Sequence, residues 1–206
     1  MKTLKLSGSG LLLVLFLSGC ATVDTMTTPF YTQEYKNAGT ISVIAAVADV
    51  SYSPEFLQFK SRIEQKLAAN GYSIASNPSE AEYIAFVTYG IDDGQNTVVS
   101  TPMLGQTGTT VSSSGGSSYT MPSYGVAGSS ITSASQYTRA IALDIVVAAS
   151  VKEGHPKKIY ENRAKSVGSC RAISGVFDEM LEAMFEDFPG QSGKKRTVTV
   201  SFKGGC

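Results

Sequence analysis

A short apolar run behind two positive charges lies at the amino terminus and limits how much of the chain is left to fold. Residues 11–17 are all apolar, and Lys2 and Lys5 precede them. A helix rises about 1.5 Å per residue, so this run is too short to cross a hydrocarbon layer of about 30 Å. Its length and flanks are typical of a signal peptide. We therefore expect residues 1–19 to be removed, which leaves 187 of the 206 residues to fold after export.

The end of this run indicates how the mature chain is held. Leu17, Ser18, Gly19 and Cys20 resemble the lipobox of bacterial lipoproteins, in which the cysteine thiol is diacylated, the chain is cut before it, and the new amino group is acylated. Two or more acyl chains, such as palmitate, anchor a protein stably to a membrane. The alternative is an ordinary secretory signal in which the cysteine is incidental.

The residues after Cys20 set the expected address. By resemblance to enterobacterial lipoproteins, Ala21 in place of Asp favours the outer membrane. We expect the chain to be lipid-anchored there and to face the periplasm. Residues 20–39 are polar and lack sustained periodicity, so they predict a lipidated tether. A single domain is expected over residues 40–206.

The charge balance argues against nucleic acid as a partner. Lys and Arg total 17, as do Asp and Glu, so removal of Lys2 and Lys5 leaves a net charge of −2. Such a chain offers no positive field, and no basic stripe interleaved with aromatic residues occurs.

The remaining cysteines, Cys170 and Cys206, suggest a disulfide. Free thiols seldom persist in the oxidising periplasm. A bridge would stabilise the fold by roughly 3 to 4 kcal/mol in the chain-entropy estimate. The functional alternative is a nucleophilic thiol at Cys170, although no Cys-x-x-Cys motif accompanies it.

Two helices and several strands follow from the apolar periodicity. Ser53, Pro54 and Glu55 supply a helix start, and apolar residues then recur every three or four positions until Asn70 and Gly71. A second amphipathic helix is predicted from Ile173 to Phe188. Alternation predicts strands over residues 41–50, 72–75, 82–91, 136–148, 157–167 and 196–202.

Residues 92–135 break this pattern. The segment is rich in Gly, Ser and Thr, and it embeds Tyr119, Met121 and Tyr124. Since it buries little apolar side chain, we expect either a mobile loop or a long irregular hairpin. It serves either as a partner-contacting loop or as a solvated spacer, and in the first case these three residues are the expected contacts.

The predicted fold class is α+β, a mostly antiparallel sheet with two amphipathic helices packed on one face, in the order β-α-β-β-β-α-β. The central strand from residue 136 has a bulky face, through Ile141, Leu143 and Ile145, and a small face. The helices are expected on the bulky face.

Several packing motifs together resemble a known family. They are the lipobox, the helix at residues 56–71, the strand motifs at residues 80–85, 143–146 and 159–161, and the helix end at residues 185–189. This set resembles the DUF4136 type of bacterial lipoprotein, a domain of unknown function, over roughly residues 40 to 190. The resemblance implies location and fold, and it carries over no functional site.

The sequence contains no convincing catalytic constellation, and we expect no cofactor and no metal. His155 is the only histidine and lies in a predicted turn beside Pro156. Glu179, Glu182 and Glu186 share one helix face, which a solvated surface explains.

Three functional hypotheses follow. The first is a non-catalytic binding or scaffold module that holds an envelope protein or the cell wall. The second is a small periplasmic hydrolase with His155 as base and one of the clustered serines as nucleophile. The third is an accessory to envelope stress or export.

Overall fold

The computed structural model describes residues 21–47, 50–114 and 117–206. The predicted signal peptide and Cys20 lie outside these residues. The described residues contain eight strands and three α-helices. In chain order they are β1 (Thr22–Tyr31), β2 (Gly39–Ala45), α1 (Pro54–Ala69), β3 (Tyr72–Ile74), β4 (Tyr83–Ile91), β5 (Gln95–Ser114), β6 (Ser117–Val147), α2 (Ala148–Lys152), β7 (Lys158–Gly168), α3 (Phe177–Phe185) and β8 (Arg196–Ser201).

The first predicted helix, α1, begins and ends at the capping residues that the sequence indicates. Ser53 is the N-cap, and its side chain accepts a hydrogen bond from the Phe56 amide at 3.1 Å. The helix ends at Asn70, and Gly71 adopts a φ of +103°, which only glycine accepts without strain.

The fold class is α+β with a mixed, mostly antiparallel sheet, in the order β3-β2-β4-β6-β7-β1-β8, with β5 paired to β6. The predicted element order is wrong, because β1 and β5 were not counted as strands, β6 begins at Ser117 rather than at residue 136, and α2 was not foreseen. Two strand pairs, β2 with β3 and β2 with β4, are parallel. They are parallel because α1 carries the chain back across the sheet between β2 and the two later strands.

The predicted tether at residues 20–39 is also corrected. Residues 22–31 form β1, which lies between β7 and β8 and pairs with both in antiparallel register. Alternate side chains point inward, and Thr25 and Thr27 are fully buried. Threonine is β-branched, so it suits a strand. Because it is also polar, its alternation with exposed residues does not appear in a hydropathy pattern.

The core lies between one face of the sheet and the two longer helices. Ile141, Leu143 and Ile145 of β6 are buried there, as the bulky-face prediction required. Phe59 of α1 stacks on Phe177 of α3, with ring centroids 3.7 Å apart and an interplanar angle of 4°. Both helices therefore share one core, on one face of the sheet.

Residues 92–135 form the hairpin alternative rather than a loop. β5 and β6 pair from Gln95 opposite Gln136 to Ser114 opposite Ser117, with register shifts at residues 103/104 and 106/108. At about 3.3 Å per residue, β5 is about 65 Å long. β6 continues without a break into the central strand of the sheet. We call the paired residues 95–114 and 117–136 the ribbon.

Candidate interaction surfaces

The two ends of the main sheet carry different features, and we name them by residues of β1. At the Thr22 end, Ser166 of β7 pairs with Thr25 of β1 on one side and with Arg139 of β6 on the other. The three strands therefore lie side by side at the point where the ribbon leaves the sheet. At the Tyr31 end, Tyr31 lies opposite Tyr160. The ribbon therefore extends from the same end at which the described chain begins.

The carboxyl-terminal segment is held against the Thr22 end. The Phe202 amide donates a hydrogen bond to the Ala21 carbonyl at 2.8 Å. The predicted disulfide is present, since Cys170 and Cys206 are bonded with a Cα–Cα distance of 5.2 Å. Glu179, which was expected in a solvated face, is buried and accepts a hydrogen bond from the Lys203 amide at 2.9 Å. This carboxylate thus fixes the segment that leads to Cys206.

Arg139 is a buried cation at the same end. It is 3 % exposed, and its guanidinium donates to the Cys170 carbonyl at 3.4 Å and to Ser166 Oγ at 3.2 Å. Burial lowers the pKa of Arg139, and the charge of Asp92 opposes this. The guanidinium lies so close to Gly168 that a side chain there would sit 2.9 Å from Nη2. Arg139 borders a cavity of about 210 Å³.

A larger groove, of about 1100 Å³, opens at the Tyr31 end. Its floor is apolar and includes Tyr83, Val147 and Ile159. Glu82 and Lys152 are among the charged residues that line it. Charges of both signs over an apolar floor suit a peptide or another polar chain with some apolar groups better than a uniformly charged ligand. We call this feature the distal groove.

A tyrosine cluster supports the wall of the distal groove. Tyr35 lies 5.0 Å from Tyr160 between ring centroids, and Tyr72 donates to the Lys36 carbonyl at 3.0 Å. Burial raises the pKa of Tyr35, Tyr72 and Tyr160, so their hydroxyls stay protonated. The Tyr35 hydroxyl donates to Asn37 Oδ1 at 3.4 Å, so it and Tyr72 hold the segment between β1 and β2 in place, whereas Tyr160 donates to the Pro189 carbonyl at 3.4 Å.

The residues predicted as partner contacts lie far from this groove. Tyr119, Met121 and Tyr124 belong to β6 within the ribbon, opposite Ser112, Thr110 and Gln106. The distal groove itself was not predicted. Its lining comes from residues 34–39, 81–83 and 147–153 and from Ile159, and no local pattern connects these four parts of the chain.

The hydrolase residues are not brought together. His155 is exposed in the turn before β7, at the Tyr31 end, and the clustered serines lie in the ribbon at the other end of β6. The nearby Ser150 Oγ donates to the Val147 carbonyl at 2.5 Å and accepts from the Lys157 amide at 2.7 Å. Over the described part of the chain, no three His, Cys, Asp or Glu side chains form a group that would hold a metal ion.

The helices of the structure can be compared with the length and apolar character that a membrane span needs. Within residues 21–47, 50–114 and 117–206, none of the helices has both the length and the apolar character needed to cross a bilayer.

The fold defines an α+β domain with a helix-covered mixed sheet and a protruding ribbon. The profile described as Domain of unknown function (DUF4136) matches residues 46–190, which is more than half of the chain. The protein belongs to the DUF4136 family.

Comparisons with individual proteins add little. No curated protein matches the chain. Among solved structures, it is similar to a PDZ domain protein from Parabacteroides distasonis ATCC 8503, with 12% identity and a TM-score of 0.45. The match covers 88% of this chain and 40% of that one, so this chain spans less than half of that protein's length.

Proposed function

We propose that the protein is a lipoprotein of the cell envelope, anchored to the outer membrane through acylated Cys20, facing the periplasm, and acting as a non-catalytic binding or scaffold module. The observation that carries this proposal is the position of β1, which begins at Thr22, two residues after Cys20. An extended chain reaches at most about 3.6 Å per residue, so the acyl chains and the sheet are separated by less than about 10 Å.

This short connection determines the orientation of the domain. β1 is held on both sides, by β7 and β8, so it cannot lengthen into a tether without breaking the sheet. The Thr22 end of the sheet therefore rests at the membrane surface. The Tyr31 end, with the distal groove, points into the periplasm, where a protein or cell-wall partner is accessible.

A binding role is favoured over catalysis by the contents of the distal groove. Its described lining offers acids, two lysines and apolar surface, which recognise a partner but supply no nucleophile activated by a neighbouring base. The separation of His155 from the ribbon serines supports the binding module over the hydrolase alternative.

Metabolic labelling with palmitate tests the anchor. The wild-type chain should carry the label and sediment with the outer membrane, and Cys20→Ser should lose both properties. The control is the double variant Cys170→Ser/Cys206→Ser, which lacks the disulfide and should keep the label. Equal labelling of the Cys20→Ser chain, or an unlabelled wild-type chain, contradicts the proposal.

Site-specific photocrosslinking in cells tests the distal groove. A photoreactive residue at Lys152, in the groove, should capture a discrete partner. The same residue at Gln65, on the exposed face of α1, should not. Capture that is equal at the two positions, or absent from the groove, counts against the groove as the binding surface.

A further inference from the structure

The ribbon is the part of the molecule that the packing of the domain does not explain. Its base, residues 95–103 and 128–136, has regular register from Gln95 opposite Gln136 to Met103 opposite Gly128. Across the described part of the chain, these stretches of β5 and β6 pair only with each other. Each therefore has one outer edge without a strand beside it. Such an edge is a template for a further strand.

The sequence of the ribbon lacks the charges that usually block edge pairing. No Lys, Arg, Asp, Glu or His occurs between Asp93 and Arg139. Natural edge strands are commonly protected by charged side chains, above all Lys. Pro102 lacks an amide donor, and the residues beside it keep theirs. A long ribbon without ionisable groups is thus suited to pairing with strands rather than to avoiding them.

The direction of the ribbon selects the arrangement of the strands, and here the inference rests on the proposed lipid anchor. Copies anchored through Cys20 stand on one membrane and point the same way. In that orientation, β6 of one copy runs antiparallel to β5 of the next, whereas β5 beside β5 would be parallel. Antiparallel pairing is slightly more stable per residue.

We infer that the base of the ribbon is a self-assembly surface, in which residues 128–136 of one copy pair with residues 95–103 of a second copy. This contact is heterologous, since two different edges meet, so each copy keeps one edge for a further neighbour. Such contacts build rings when the rotation closes.

The location of the ribbon favours a second copy over lipid as the occupant. The ribbon leaves the sheet at the Thr22 end, which the anchor places at the membrane. Acyl chains cannot accept or donate hydrogen bonds, so they leave open backbone groups unsatisfied at a large free-energy cost. Strands of a second copy satisfy those groups.

Crosslinking between two tagged full-length chains tests the arrangement. One chain carries Ser100→Cys in β5 and the other Ser133→Cys in β6, and both are expressed together and treated with a short thiol crosslinker. Mixed pairs should dominate. A predominance of like-with-like pairs overturns the heterologous arrangement, and the absence of any crosslinked pair overturns the assembly.

Charged substitutions test the role of the edges. The variant Ser100→Lys/Ser133→Lys should lose the crosslinks between neighbouring copies. A photocrosslinker that does not react through lysine measures this, so the added lysines do not change the reaction itself. The matched control, Ser61→Lys/Gln65→Lys, adds the same charge to the exposed face of α1 and should assemble normally. Equal assembly of both variants contradicts the inference, as does equal loss.

Palmitate labelling of the same samples separates this inference from the proposed function. A labelled wild-type chain that remains monomeric overturns the assembly and leaves the anchor intact. An unlabelled chain overturns the anchor. If the chain is monomeric and its ribbon resists protease only when membranes are present, lipid is the occupant, and the inference is wrong.

Discussion

The main sheet and the ribbon are joined by one continuous strand, β6, yet they are stabilised in opposite ways. In the main sheet, β6 has strands on both sides and helices over its bulky face, which is fully buried at Ile145. In the ribbon, the same strand pairs with β5 alone among the residues that the structure describes. An isolated two-stranded hairpin is marginally stable in water. The main sheet therefore provides the stability of the domain, while the stability of the ribbon depends on what it contacts.

The largest effect is expected in the core under the main sheet. Phe177→Ala removes the ring that stacks on Phe59 and leaves a cavity, so the free energy of unfolding should fall by about 3–5 kcal/mol. Urea denaturation of the mature chain measures this. A loss below about 1 kcal/mol would mean that the two helices do not share one core.

The disulfide should have the next largest effect. Cys170→Ser/Cys206→Ser releases the segment that closes the Thr22 end, and we expect a loss of about 3 to 4 kcal/mol. Thermal unfolding compares this double variant with the wild type. Addition of a reductant should destabilise the wild type to a similar extent and leave the variant unchanged, and any other pattern contradicts the structural role.

A smaller and pH-dependent effect is expected at Asp144, on the face of the sheet away from α1 and α3. Although burial opposes it, hydrogen bonds from Arg163 and Lys158, at 2.5 and 2.8 Å, lower the pKa of Asp144. A lowered pKa means that the carboxylate stabilises the fold above its ordinary pKa of about 3.9 and loses this effect as the pH falls through its folded value.

Asp144→Asn should therefore cost about 1 kcal/mol at neutral pH, and the difference from the wild type should vanish in strong acid. Urea denaturation across the acidic range measures it. The matched control is Asp178→Asn, which breaks a more exposed ion pair with Arg62 and should have less effect. A difference that grows as the pH falls would reverse the assigned sign.

The smallest effect is expected from removing the ribbon. Replacing residues 97–134 with an Asn-Gly turn joins Asn96 to Ser135, which are already opposite each other. Since none of the ribbon residues whose burial the structure describes belongs to the core cluster, the free energy of unfolding of a single chain should change by less than about 1 kcal/mol. Global destabilisation of the shortened chain would show that the ribbon supports the domain.

Sequence patterns predicted the elements whose apolar residues are periodic. α1 was recognised because Ser53, Pro54 and Gly71 mark its ends, and β6 because its bulky residues alternate. β1 was missed because buried threonines do not register as apolar. The parallel pairs were missed although the intervening helix α1 signals a crossover.

The candidate surfaces were harder to predict than the fold. The distal groove depends on tertiary contacts between distant segments, which a single sequence does not display. The ribbon was left as one of two alternatives, because composition rich in Gly, Ser and Thr suits a loop and a hairpin equally. The sequence did contain one signal for an interaction surface, which is the lack of charged residues between Asp93 and Arg139.

Hydrogen exchange over residues 22–31 of the mature protein distinguishes a strand from a flexible tether there, and the direct attachment of the domain to its anchor depends on β1. We predict that the amides of β1 exchange as slowly as those of β7, its partner in the sheet. Exchange throughout residues 22–31 at the rate of an unfolded chain would show a flexible tether there, and it would contradict the account.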